Sequence, residues 1–328
     1  MTSYHTIDSK NLELRSFGQE FYPYEALRAI KLADKSKASD RCALTQHIAG
    51  TLPQPSARTR ERIAAKFIQR YINERAPLDA LPPALNGDLF NEAPAQSKYF
   101  APRLRPAHCQ PFVRLVARHQ HLPTQIELLY LRLARVDNIV GALARELFYP
   151  TCLQNRAPAG LGAAEFATRN GGQLLTITPQ LTRQFILHYA QETWNFSDRA
   201  TIDRALRVLQ GAGLIARQRM TEVRRRPTAF RLADHNVSPV TFAFALYDEF
   251  LPHLQQQLET AQDRHFFISR SVLPIADFAR TLLLSPAQVE EHLELARRHQ
   301  LLSQNGDQIR LVFSNLDALV DALLAKAI

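Results

Sequence analysis

Apolar residues recur at helical spacing along most of the chain. Between residues 20 and 75 they mark a run around Tyr24 to Leu32, another around Ala38 to Ala49, and a third opening at Ser56. In the third, Ser56 follows Pro53 and Pro55 and has N-cap chemistry, while Ile63, Phe67 and Tyr71 fall on one side of the predicted helix. A second helical stretch covers Pro111 to Tyr149. Phe112, Leu115 and Val116 form one apolar run there, and Ile126, Leu129, Leu133, Val136, Ile139, Val140 and Leu143 form a longer one that reads as core. Between the two stretches, seven prolines from Pro77 to Pro111 forbid a long helix and predict a linker. Residues 155–172 gather glycine, alanine and Pro158, a second connection with at most a short helix around Ala163 to Thr168.

After Thr178 the pattern changes. A helix is predicted from Pro179 through Phe185, Ile186 and Tyr189, a break at Asn195-Phe196-Ser197, and a second helix from Asp198 to Gln210 closed by Gly211 and Gly213. Two strand-like segments follow, Gly213 to Met220 and Thr228 to Leu232, around a tip of Arg224, Arg225, Arg226 and Pro227. The same order returns near the C-terminus. His265 to Ser269 reads as a strand, Ile275 to Leu283 as a short helix, and Ser285 with Pro286 opens a helix reaching His299. Leu301 to Gln304 and Gln308 to Phe313 then flank Asn305-Gly306-Asp307, a strong hairpin signal. Ahead of this copy, Phe242, Phe244, Leu246, Phe250, Leu254 and Leu258 mark a helix that packs either into the module or onto a second chain. The expected fold is mainly α: a helical region over 1–75, a proline-rich linker over 76–111, a helical region over 112–155, and two tandem modules over 160–234 and 235–328.

Composition agrees with a folded chain, since 328 residues with 46% hydrophobic and 22% charged positions suffice for two or three domains. Charge separates the two modules. The net charge is +9, mostly arginine. Residues 196–232 hold nine arginines against three acids, whereas residues 233–328 hold seven bases against twelve acids. A basic segment suits phosphate, and an acidic one suits protein contact. On the helix opening at Ser56, Arg58, Arg62, Lys66 and Arg70 form a basic ridge, either a solvated face or a further phosphate contact. The second helix of the C-terminal copy carries Glu290, Glu291 and Glu294, which would repel a nucleic acid, so protein contact or dimerisation is expected there. Its Arg297 and Arg298 suit the helix dipole and need no function.

Catalytic signatures are missing. There is no phosphate-binding glycine loop, nucleophile elbow or zinc-type spacing, so no enzyme activity, cofactor or metal is expected. His108, Cys109, His119 and His121 are the nearest approach to a cluster; with no acid in register they read as surface and packing residues. Trp194, Tyr189 and Phe196 read as core. Cys42, Cys109 and Cys152 are isolated, which argues against disulfides and fits a cytoplasmic protein. Residues 1–10 are polar, and no run approaches the length of a membrane helix, so neither secretion nor membrane insertion is expected.

The order from Thr178 to Leu232 resembles the winged helix-turn-helix family. That resemblance implies that Arg199, Thr201, Arg204 and Arg207 face a major groove while Ile202, Ala205, Leu206 and Leu209 pack inward. It also implies that the hairpin is a wing whose Arg217, Arg219, Arg224, Arg225 and Arg226 meet the DNA. Over residues 20–215 the chain is similar to the BrxA family, helical DNA-binding accessory proteins of BREX phage-defence systems. The likeness lies in Ser56-Ala57-Arg58-Thr59-Arg60-Glu61-Arg62, in the helical segment Gln125 to Phe148, and in Ser197, Thr201, Arg204, Leu206, Leu209, Gly213 and Leu214. The expectation is a non-enzymatic duplex-DNA-binding protein, an antiviral accessory factor or a regulator, with Arg58, Arg62 and Lys66 among its contacts. The alternative is an interaction scaffold whose modules dock partners or form a homodimer through residues 240–328.

Overall fold

The computed structural model describes residues 23–36, 41–72, 109–136, 138–150, 177, 180–182, 185, 199–219, 228–233, 236–260 and 267–326. The chain is mainly helical with small antiparallel sheets. Its N-terminal helices are α1 (Pro23–Lys35), α2 (Arg41–Ala49) and α3 (Ala57–Phe67), the last running into a widened π-turn, Ile68–Ile72. Ser56 caps α3 as expected, accepting a hydrogen bond from the Thr59 amide at 3.4 Å, and Ile63, Phe67 and Tyr71 are buried. Arg60 turns back to donate to the carbonyls of Gln54 and Pro55 at 2.7 and 3.0 Å, fixing the proline turn that leads into the helix.

Helices α4 (Pro111–Arg118), α5 (Leu122–Val136) and α6 (Asn138–Ala142), with a π-turn over Leu143–Phe148, complete this part. Pro111 begins α4 at its first turn, where a missing amide hydrogen costs nothing. Helix α5 is the centre of the bundle. Its apolar period predicts one buried stripe containing Ile126, yet Ile126 is half-buried while Leu128, Tyr130 and Leu131 are fully enclosed with Leu129 and Leu133. The reason is tertiary: α1, α4 and the π-turn Ile68–Ile72 pack on α5, and so do helices from the C-terminal part of the chain. Gly141 lies where α6 passes closest to α5, because a Cβ there would collide with the carbonyl of Ala134.

The C-terminal helices are α8 (Pro239–Thr260), α9 (Asp277–Thr281), α10 (Pro286–Arg298) and α11 (Leu316–Ala325), following α7 (Arg199–Gly211) of the preceding module. The expected Ile275–Leu283 helix begins instead at Asp277. A tight 3-10 segment, Arg270–Ile275, precedes it, and Glu249 of α8 caps α9 by accepting from the amides of Asp277 and Phe278 at 3.0 and 2.6 Å. Phe242, Phe244 and Leu246 of α8 are buried within the chain, where α8 packs on α5, α10 and α11.

Continuous apolar packing joins the N-terminal helices to the C-terminal ones. A polar seam reinforces it. Arg114 of α4 donates to Asp317 of α11 at 3.0 Å and also pairs with Asp321. Arg135 of α5 pairs with Asp248 of α8, and Arg280 of α9 donates to Glu146 at 2.6 Å. The Tyr130 hydroxyl donates to the carbonyl of Thr281 at 2.8 Å, and the Tyr149 hydroxyl to that of Pro274. Glu127 accepts from the Ser238 amide at 2.9 Å at the start of α8. Three acids of residues 233–328, Asp248, Asp317 and Asp321, are therefore matched by Arg135 and Arg114 of the preceding helices.

Candidate nucleic-acid interface

Two hairpin modules share one backbone plan. In the C-terminal module, β3 (Ile268–Ser269) pairs with β5 (Gln308–Leu311), and β5 pairs with β4 (Leu302–Asn305), giving an antiparallel sheet of order β3-β5-β4. The hairpin turns through Gly306 at φ +61, the left-handed conformation that its Asn-Gly-Asp sequence predicts. In the preceding module β1 (Ile215–Arg219) pairs with β2 (Thr228–Leu232), and Ile177 adds an antiparallel bridge to Phe230 on the other side of β2. The last strand is central in both. Helices α7 and α10 precede the hairpins and end alike. The amide of Leu214 bonds the carbonyl of Leu209, and the amide of Leu301 bonds that of Ala296, each across a left-handed residue, Gly213 at φ +75 and Gln300 at φ +55.

Helix α7 buries Ala205, Leu206 and Leu209 of the four residues expected inside, and Val208 as well, against α6; the side chain of Ile202 lies outside the described residues. This packing leaves Arg207 exposed and Arg204 half-buried. On α3, Arg58 and Arg62 are exposed and Lys66 is half-buried; Arg70, on the following π-turn, is buried. The two groups feel each other's charge. Burial, and then the fields of Arg70, Arg62 and Arg204, hold the Lys66 ammonium below its usual pKa. Residues about 140 positions apart in sequence thus act on one another electrostatically. Arg217 stands exposed on β1. Arg199, Thr201 and Arg219 have their backbones in α7 and β1, while their side chains lie outside the described residues, as do Arg224, Arg225 and Arg226 entirely.

Helix α10 treats charge differently. Both Glu290 oxygens accept from Arg270 Nε at 2.8 and 2.7 Å. Glu294 accepts from Arg297 at 2.8 Å and Arg298 at 3.0 Å, and these bonds hold its carboxyl down at about 2. His292 packs inward, stacked on Phe242 with ring centroids 5.0 Å apart, and burial lowers its pKa.

The histidines considered as a cluster have a structural position. The His121 amide donates to His119 Nδ1 at 3.2 Å, and His121 Nδ1 lies 2.9 Å from the Thr124 hydroxyl, in the first turn of α5. Among the described residues no group of three histidine, cysteine or acidic side chains converges as a metal site would require, and no helix is long and apolar enough to cross a membrane. His108, Tyr189, Trp194 and Phe196 lie outside the described residues. The effect of Arg204 on Lys66 is not legible in the sequence, because nothing local signals an interaction across so long a separation. Comparison with protein-family models, curated proteins and solved structures finds no match.

Proposed function

We propose that the chain is a non-enzymatic, duplex-DNA-binding protein in which the 177–232 module acts as a winged helix. Helix α7 enters the major groove, and α3 meets the phosphate backbone beside it. The supporting observation is the electrostatic effect of Arg70, Arg62 and Arg204 on Lys66. A polyanion is attracted to a group of cations and releases its own counterions on binding. The exposed Arg58, Arg207 and Arg217 extend the same chemistry along α3, α7 and β1. The BrxA resemblance extends the reading to an accessory role in phage defence.

Binding of a random-sequence duplex across a salt series tests it. The double variant Arg62→Glu with Arg204→Glu should weaken binding by on the order of a hundredfold and flatten the log–log salt slope by about 0.9 for each phosphate that is no longer neutralised. Unchanged affinity and slope would remove the proposal. The scaffold reading draws on a separate observation: Phe267, Val272, Ile275 and Val312 of the C-terminal module are large apolar side chains with 41–67% exposure. Light scattering tests that reading, which requires a dimer mass that falls when Ile275 becomes glutamate.

A further inference from the structure

Helix α1 carries a row that the core does not use. Tyr24, Arg28, Lys31 and Lys35 are exposed at spacings of four, three and four residues, so they follow one face of the helix for about 16 Å. Beside this row runs a groove of about 330 Å³ floored by Leu27 and Leu32 of α1 and closed by Leu122 at the start of α5. Tyr24 is 65% exposed and Leu122 38%, so apolar side chains along the groove reach solvent beside a rim of three cations, while Leu27 beneath them is buried. No acid pairs with Arg28, Lys31 or Lys35 among the described residues. The neighbouring arginines behave otherwise: Arg118 is held by Asp34, and Arg114 by Asp317 and Asp321.

We infer that this groove is a docking site for an acidic amphipathic helix of a partner protein. A row of three cations along an apolar channel complements a helix whose leucine or phenylalanine side chains enter the channel and whose aspartates or glutamates face the rim. The partner's matching positions are three, four and seven residues apart, over about three turns. A phosphate backbone would use the cations but leaves the exposed Tyr24 and Leu122 unused, since its contacts are charge and hydrogen bond alone. The inference stands independently of DNA binding by α3 and α7.

The test is a selection from a displayed library of random peptides, each about four helical turns long, against the full chain. The enriched sequences should combine acids with apolar residues at helical spacing. The best of them, made synthetically, should lose at least about tenfold in affinity for a Lys31→Glu, Lys35→Glu variant and for Leu122→Glu. All three positions are solvent-accessible, and an unchanged melting temperature confirms that each variant folds. The double variant should bind duplex DNA as the parent does. Absence of enrichment, enrichment of peptides without acids, or affinity that survives the substitutions would overturn the inference. So would a loss of duplex binding in the double variant equal to that of Arg204→Glu, because the α1 face would then belong to the nucleic-acid surface.

Discussion

Helices α7 and α10 hold the same place in their modules. Each ends in a left-handed residue and feeds a hairpin whose last strand sits between two neighbours. Their apolar faces are equivalent, with Leu206 and Leu209 on one and Val289, Leu293 and Ala296 on the other. Their charges are not. On α10, Glu290 and Glu294 are satisfied by arginines of the same module, whereas Arg204 of α7 shares its surroundings with further cations from α3. The apolar and capping pattern builds the module; the arrangement of charge around its helix decides what it can meet.

The largest expected effect tests whether the two modules are equal in stability and unequal in function. Leu209→Ala and Leu293→Ala each empty a site that is at most 1% exposed, and each should cost about 2–5 kcal/mol in denaturant melts. Below both transitions, duplex binding should fall with Leu209→Ala, which loosens the base of α7, and survive Leu293→Ala. Equal loss in both would end the functional contrast.

A smaller effect concerns the seam between Arg114 and the acids of α11. Arg114 is 16% exposed and serves both Asp317 and Asp321. Arg114→Ala should destabilise the chain by about 1–2 kcal/mol, with the loss shrinking as salt screens the remaining acids. If melts in low and high salt show no loss, the acids of α11 are solvated and the seam contributes only packing.

Next in size are the helix ends. A methyl group at Gly213 would meet nothing within 4 Å, so Gly213→Ala bears only the conformational cost of φ +75, about 1 kcal/mol. Gln300 already bears it, and Gln300→Gly should therefore raise stability by a similar amount. Opposite signs of nearly equal size would confirm that both modules end their helices by the same device.

How far the sequence reveals this follows from the range of each interaction. Ser56 and Ser285 with Pro286 mark their helices because capping is decided within four residues, and Asn305-Gly306-Asp307 marks its turn for the same reason. The period of α5 puts Ile126 in the core because a single helix shows only its own spacing, while the wider burial of α5 depends on α8 and α9, more than a hundred residues later. The basic ridge on α3 is visible as a row, and so are Arg204 and Arg207. The effect of Arg204 on Lys66 is not, since the two lie about 140 residues apart and carry no shared motif. The charge sum of residues 233–328 leads to the expectation of a face for partners, and it cannot tell that Asp248, Asp317 and Asp321 find Arg135 and Arg114 in the same chain.

The smallest effect on stability bears most directly on the comparison, because it asks whether the cations beside α7 are held against a cost. Lys66 has a pKa below 10.5 in the folded chain, first from burial and then from Arg70, Arg62 and Arg204. The unfolded chain therefore binds the proton more readily, so stability should rise with pH between the folded pKa and 10.5. At neutral pH the penalty is fully present. Lys66→Gln should then raise the melting temperature slightly, by no more than about 0.5 kcal/mol in stability for a group still reached by solvent, and the gain should shrink in high salt and toward the alkaline end of that window. The same substitution should weaken duplex binding. A variant that is no more stable and binds equally well would mean that Lys66 takes no part in duplex binding, and that α3 and α7 are not one surface.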